Sequence, residues 1–413
     1  MSQESQPLGK SMVLHDAASA PSPRMLPLCL AVSVVGLGQS MLFTLLPILA
    51  AESRIGAAGL SLVMTAGILA FFLAAPLWGR LADRLGRRGV MLGGSLVLLL
   101  GHAGFLLVLE AVAAGTIAPE TGLFGLLAAR VVYGAASAAL FPLAQAWVGD
   151  VAAESERLRG LARLSATMTA GRLLGPPLAA ALTVLAPLLP LYALLAAALL
   201  AFVALLFLPA PPRAAAPAEG GTGPGGVFLA LAGVFLLTTM LGQLQFTLGL
   251  HVQARLGLDA TASVQFVALL LTLGALAALT MQLLLARRLK SGRAGLLGLL
   301  CLLASAGCGI LAWGAGAPQF IIGVIAVGTA VSVAFPIGTA VLLALAGTAR
   351  RGRVMGVSAS AQTLGYACGA LLGGLYAWAP TASFALAALA PLLAFLLLRA
   401  GMISVRDPEK GRA

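Results

Sequence analysis

The sequence predicts an all-α polytopic membrane protein, with twelve membrane-spanning helices arranged as two six-helix bundles that repeat each other in parallel. Three observations predict this fold class. Apolar runs of the length a helix needs to cross a bilayer core, about 20 residues, recur twelve times. Basic residues gather in alternate connections between those runs, the pattern produced when positive loops stay on the cytoplasmic side. The chain also matches itself at about half its length, the mark of an internal repeat.

Composition sets the class before any single residue does. Sixty per cent of the 413 residues are hydrophobic, the mean hydropathy is +1.04 and only 9% are charged, far more apolar surface than a soluble domain hides. A net charge of +12 would suggest nucleic acid in a soluble protein, but no basic stripe is interleaved with aromatics, so no nucleic-acid partner is expected. Cys29, Cys301, Cys308 and Cys368 all lie in apolar runs, with neither a disulfide framework nor a metal-ligand spacing, so no metal is expected. His15, His102 and His251 are scattered and no acidic cluster accompanies them, which argues against a membrane enzyme. No Gly-x-x-x-x-Gly-Lys-Ser/Thr loop occurs, so ATP is not the expected energy source and no cofactor is expected.

In chain order, residues 1–24 are polar and rich in Ser and Pro, a cytoplasmic tail. The first apolar run is too long for a signal-peptide core and reads as an uncleaved span. The spans fall at about 25–49, 58–78, 90–110, 121–145, 160–184, 187–208, 227–251, 262–286, 294–314, 318–343, 354–378 and 381–400. An N-terminal bundle over 25–208 and a C-terminal bundle over 227–400 are joined by a Pro/Gly/Ala-rich linker, 209–226, and followed by a tail, 401–413. All lysines and arginines except Arg54, Arg130, Arg172 and Arg255 fall in, or within four residues of, the tails, the linker or the connections after spans two, four, eight and ten. Both termini are therefore expected to be cytoplasmic, in a bacterial inner membrane.

At an offset of 194, Gly134 meets Gly328, Phe141-Pro142 meets Phe335-Pro336, Arg157 and Arg159 meet Arg351 and Arg353, and Gly171 and Gly175 meet Gly365 and Gly369. At an offset of 204, Leu81 to Leu85 meets Leu285 to Leu289. Six spans per repeat is an even number, so both halves have the same orientation, related by an axis along the membrane normal.

The connection after span two reads Gly79-Arg80-Leu81-Ala82-Asp83-Arg84-Leu85-Gly86-Arg87-Arg88. It resembles the loop 2–3 signature of the major facilitator superfamily. Span four, with Arg130 followed four residues later by Gly134, and span five, with Gly171-Arg172-Leu173-Leu174-Gly175-Pro176-Pro177, resemble motifs of its twelve-helix drug:proton antiporters. The span-five match is partial, since Ala162 and Ala179-Ala180 stand where that motif has glycine.

The resemblance implies a conformational latch in which Asp83 pairs with basic residues of its own loop and with the start of span eleven. There helix-dipole charge favours an anion and Arg351 and Arg353 supply cations. Its members are Gly79, Asp83, Arg84, Gly86, Arg87, Arg88, Asp150, Arg351 and Arg353.

Arg130 and Arg172 lie inside spans, where a charge is costly enough to suggest function. Arg130 shares a helix face with Tyr133, Gly134, Ser137 and Phe141. It serves as a ligand for an anionic group, as electrostatic control of a proton carrier, or as a structural arginine. Uncharged candidates for substrate contact or coupling are Gln39, Tyr133, Gln243, Gln245, Gln362, Tyr366 and the apolar Phe335. His102 and Glu110 are the candidate proton carriers, and His251 reads as an interfacial residue. Gly134, Gly171, Gly175 and Pro176 are expected to serve helix packing, the span-five glycines against Gly274, Ala275, Ala277 and Ala278 of span eight.

Two buried arginines with no acid in mid-span favour an anionic or zwitterionic substrate. The expected function is alternating-access secondary transport by a monomer in the lipid bilayer. Its leading form is proton-coupled efflux of a small amphiphilic molecule, a drug or a secreted metabolite such as a siderophore. Uptake or facilitated diffusion of an organic anion is the alternative within transport. A lipid flippase or a non-transporting sensor is the alternative of another class.

Overall fold

A computed structural model describes residues 25–151, 154–209, 225–286 and 294–406. Among them there is no strand. The helices are α1 (Leu26–Thr44), α2 (Leu46–Ser53), α3 (Ala57–Leu85), α4 (Arg87–Ala113), α5 (Pro119–Ser137), α6 (Phe141–Val151), α7 (Glu154–Thr183) and α8 (Leu189–Leu206) in the first half. The second half has α9 (Gly225–Leu256), α10 (Ala260–Ala286), α11 (Ala294–Trp313), α12 (Ala317–Gly373), a 3₁₀ turn at Gly374–Ala377 and α13 (Pro380–Arg406). Leu73, Leu107, Phe124, Phe207 and Trp378 are exposed, a surface suited to lipid rather than water.

Ten helices among the described residues are long and apolar enough to cross a membrane. The other two predicted spans, 160–184 and 354–378, correspond to α7 and to the second half of α12. Predicted spans one and four are each two helices. Pro47 and Pro142 lack the N–H that would bond four residues back, so the chain breaks at Leu45 and over Ala138–Leu140 before helix resumes. At the second break the bonds tighten: Ala139 and Leu140 donate to Ala136 and Ser137, at 3.0 and 3.1 Å.

α12 carries two predicted spans in one element. Its 57 residues would reach about 85 Å if straight, at ~1.5 Å per residue. Instead its two halves run in opposite directions along α9. Val324 and Val327 flank the same recess as Leu241 and Leu248, and Gly338 lies against Val234. Further on, Gly365 meets Phe235 and Thr238, Gly369 meets Thr239 and Gln243, and Gly373 meets Phe246. The chain therefore doubles back between Gly338 and Gly365.

The two halves use the same crossings. In the first, Gly171 and Gly175 of α7 lie on Ser33, Leu37 and Met41 of α1; a Cβ at Gly175 would stand 3.0 Å from the Met41 nitrogen. In the second, their partners at offset 194, Gly365 and Gly369, lie on α9 in the same way. Gly134 of α5 abuts Gly67 of α3, and Gly328 of α12 abuts Gly274 of α10. The Trp78 indole donates to the Ala135 carbonyl at 2.6 Å, and Gln282, 204 residues later, donates to the Ser332 carbonyl at 3.2 Å.

One packing expectation is corrected. Gly171 and Gly175 face α1 within their own half rather than span eight, and Gly274 is covered by Gly328. Backbones approach closest where small residues meet, and that occurs inside each bundle. The face of α7 turned toward α10 carries Thr169, Arg172, Leu173 and Pro176, across a cavity.

Candidate functional site

Between the halves lies a cavity of about 220 Å³. α1 contributes Gln39 and Ser40, and α7 contributes Thr169, Arg172, Leu173 and Pro176. From the second half come Gln245 on α9, Leu271, Thr272 and Ala275 on α10, and Tyr366 on α12. Arg172 is the one charged side chain of this lining and is exposed to it.

The lining is rich in uncommitted hydrogen-bond donors. The hydroxyls of Ser40, Thr169 and Thr272 donate to carbonyls of their own helices, at 3.2, 3.0 and 2.7 Å. The side chains of Gln39, Arg172, Gln245 and Tyr366 make no hydrogen bond to another described residue. Four donor-bearing groups thus converge on one space; Gln39, Gln245 and Tyr366 can donate or accept and Arg172 only donates, so a ligand with acceptor oxygens suits the arginine.

The halves touch at the end opposite the Gly79–Arg88 turn. Thr65 on α3 donates to the Ala367 carbonyl at 3.4 Å, Ser61 abuts Gly374, and Pro47 abuts Gly249. The turn itself is built on Gly86, whose φ of +88° lies in the region that favours glycine and whose N–H closes α3 onto the Ala82 carbonyl at 2.9 Å. A Cβ at Gly79 would meet nothing within 4 Å. Arg88 donates to the Leu206 carbonyl at the end of α8, at 2.8 Å, and Arg84 and Arg87 are each engaged in contacts. The side chains of Asp83, Asp150, Arg351 and Arg353 lie outside the described residues.

The structure divides the other sequence-derived candidates. Arg130 is only 3% exposed and lies inside the first half, its guanidinium carbon 4.6 Å from the centroid of the Tyr133 ring. The His102 ring, on α4, is 4.6 Å from the same ring on α5. Nε and Nη1 of Arg130, Nε2 of His102 and Oγ of Ser95 are buried without a hydrogen-bond partner among the described residues. This cluster is absent from the cavity lining.

Gln243 donates to the carbonyl and hydroxyl oxygens of Ser383, at 2.7 and 3.1 Å, and so ties α9 to α13. Gln362 faces Ser358 within α12 at 3.4 Å, and Phe335 packs in the core of the second half. Glu110 accepts a hydrogen bond from Tyr192 of α8. His251 is a core residue rather than an interfacial one: it is 1% exposed, with Nε2 3.0 Å from the Leu311 carbonyl and Nδ1 3.1 Å from the Tyr376 hydroxyl.

The sequence reading passed over Thr169, Leu173, Leu271, Thr272 and Ala275 as cavity residues. Thr169 stands three positions before Arg172 on α7, a spacing that shares its face and marks it as a candidate. Of the three on α10, Ala275 is marked only as a small residue facing α7, and Leu271 and Thr272 carry no such signal.

The Major Facilitator Superfamily model matches residues 28–311 and 225–413. The chain belongs to that superfamily. Among curated superfamily relatives, a triacylglyceride transporter of Mycolicibacterium hassiacum is 36% identical over 116 residues, 28% of this chain and 19% of that protein. The bacillibactin exporter of Bacillus subtilis is 30% identical over 151 residues, 36% of each chain. The chain thus covers well under two thirds of the length of either relative. Solved superfamily structures share the fold. The human organic anion transporter TETRAN aligns with a TM-score of 0.62 at 22% identity, over 91% of this chain and 99% of its own. A bacterial homologue of ferroportin in its inward-facing state aligns with a TM-score of 0.70 at 16% identity, over 92% and 98%.

Proposed function

We propose that this transporter exports a small amphiphilic molecule carrying negative charge, anionic or zwitterionic, by alternating access and in exchange for protons. The central cavity carries the reading. One arginine, Arg172, stands with three neutral polar side chains, Gln39, Gln245 and Tyr366, and no acid accompanies it in the lining. In the low dielectric of a membrane protein, such a site favours an anionic group and disfavours a lipophilic cation. Relatives that export bacillibactin or carry organic anions are compatible with this charge preference.

The remaining assignments follow from the same reading. Both termini lie in the cytoplasm of a bacterial cell and the monomer is the working unit. The end where Thr65 meets Ala367 is then the outer end, and the structure is an outward-closed state. The latch formed by Gly79, Asp83, Arg84, Gly86, Arg87, Arg88, Asp150, Arg351 and Arg353 would hold the opposite state. The two proton-carrier candidates remain His102, buried beside Arg130 with no partner at Nε2 among the described residues, and Glu110, which accepts from Tyr192. Arg130, beside the same Tyr133 ring as His102, tunes that candidate rather than binding substrate.

The test is transport into inverted inner-membrane vesicles. A proton gradient should drive accumulation of an amphiphilic anion, and Arg172→Gln should reduce it at least tenfold. Flux indifferent to the gradient would replace antiport with facilitated diffusion. Accumulation of cations in place of anions would remove the charge argument.

A further inference from the structure

Behind the central cavity, within the second half, lies a recess of about 210 Å³. Its walls are Leu241, Leu244 and Leu248 of α9, Val324 and Val327 of α12 and Leu311 of α11. It holds no charged side chain, and its single polar residue is Gln245. Gln245, Leu271 and Ala275 line both spaces, so the recess lies directly against the cavity that contains Arg172.

The sequence creates this space with small residues. Gly274, Ala275 and Ala278 of α10 and Gly328 of α12 border the recess, where larger side chains would fill it. Gly274 and Gly328 are required by the close crossing of α10 and α12, since a Cβ at Gly328 would stand 2.7 Å from the Gly274 carbonyl oxygen. Ala278 carries no such constraint among the described contacts. Protein interiors hold few voids larger than a water molecule, and a space lined by leucine and valine is a poor host for water. An apolar ligand group suits it.

We infer that the recess receives the hydrocarbon portion of the transported molecule while Arg172 holds its anionic head, which makes the substrate class a single-tailed acidic amphiphile. This rests on the central cavity being the transport site. Gln245 stands at the junction, where its amide can face the head group's oxygens while its methylenes continue the apolar wall. The first half thus supplies charge recognition and the second supplies tail recognition. A molecule spanning both makes contacts that depend on how the halves are placed, and that is the condition for a substrate to bias alternating access.

The experiment is equilibrium binding of straight-chain carboxylates, from butanoate to decanoate, to the full chain in lipid nanodiscs, with empty nanodiscs subtracted. Affinity should rise about fourfold per methylene until the recess is full. Ala278→Phe should abolish the gain with chain length; the smaller Ala278→Val, as a second filling variant, should shorten it. Arg172→Gln should weaken every acid by the same factor and leave the chain-length gain in place. No gain with length in the wild type, or an undiminished gain in both Ala278 variants, overturns the tail compartment, with a bilayer acyl chain as the occupant then indicated. Loss of the Arg172 effect with the gain intact overturns the head-group assignment instead.

Discussion

Arg172 and Tyr366 stand 194 residues apart, at equivalent places in the two halves, and both line the central cavity. Each follows a glycine that seats its helix against the first helix of its half: Gly171 on α1 and Gly365 on α9. The repeat therefore delivers two side chains to one space from opposite sides, a cation from the first half and a neutral phenol from the second. Tyr366→Phe keeps the ring and removes a donor to the anionic head. Losing a hydrogen bond to a charged group costs about 1.5–3 kcal/mol, so Kd for octanoate should rise by an order of magnitude or more, by calorimetry in nanodiscs.

The glycine crossings make a stability prediction. A Cβ at Gly171 would stand 3.0 Å from the Ser33 carbonyl carbon, and one at Gly365 2.6 Å from the Phe235 carbonyl oxygen; backbone atoms there cannot swing aside. Gly171→Leu and Gly365→Leu should each destabilise by about 1–3 kcal/mol or more through overpacking. Gly79→Ala, with open space around it, should not. Thermal unfolding of the purified variants checks all three.

The buried Arg130 makes a different one. Its guanidinium rests against the Tyr133 ring, a contact worth about 0.5–2 kcal/mol. Tyr133→Phe retains the ring but removes the hydroxyl beside the buried guanidinium, and should lower the unfolding temperature less than Tyr133→Ala does. Tyr133→Ala loses the ring and leaves a cavity, a cost of about 3–5 kcal/mol.

His251 joins three elements of the second half, with the Leu311 carbonyl and the Tyr376 hydroxyl at its two nitrogens and the Phe384 ring 4.5 Å away. His251→Leu leaves the Leu311 carbonyl and the Tyr376 hydroxyl without this partner, at about 1–3 kcal/mol each. The variant should lose thermal stability, read as a lower unfolding temperature of the purified protein.

The spans, the basic turn and the repeat were legible because each is a local or periodic property. Hydrophobic runs reveal length, charges reveal ends, and the glycines at offset 194 recur in equivalent crossings. Which neighbour a face meets is not local. Arg130 and Arg172 look alike in sequence, each a lone cation in an apolar run, yet one is packed inside the first half and the other opens to the cavity. Gln243 and Gln245 differ by two positions, and helical rotation turns the first to Ser383 and the second to the cavity. The glycines of α7 advertise a close crossing without naming α1 as its partner. Glycine patterns show that two backbones approach, and only the fold shows which two.

The central claim is that Arg172 recognises negative charge. The most direct measurement compares octanoate with octylammonium, equal in chain and opposite in head, on the wild type and on Arg172→Gln in nanodiscs. The wild type is expected to prefer octanoate, and Arg172→Gln to reduce octanoate affinity at least tenfold without reducing that for octylammonium. Equal octanoate affinity in the two proteins, or a wild-type preference for octylammonium, would contradict it.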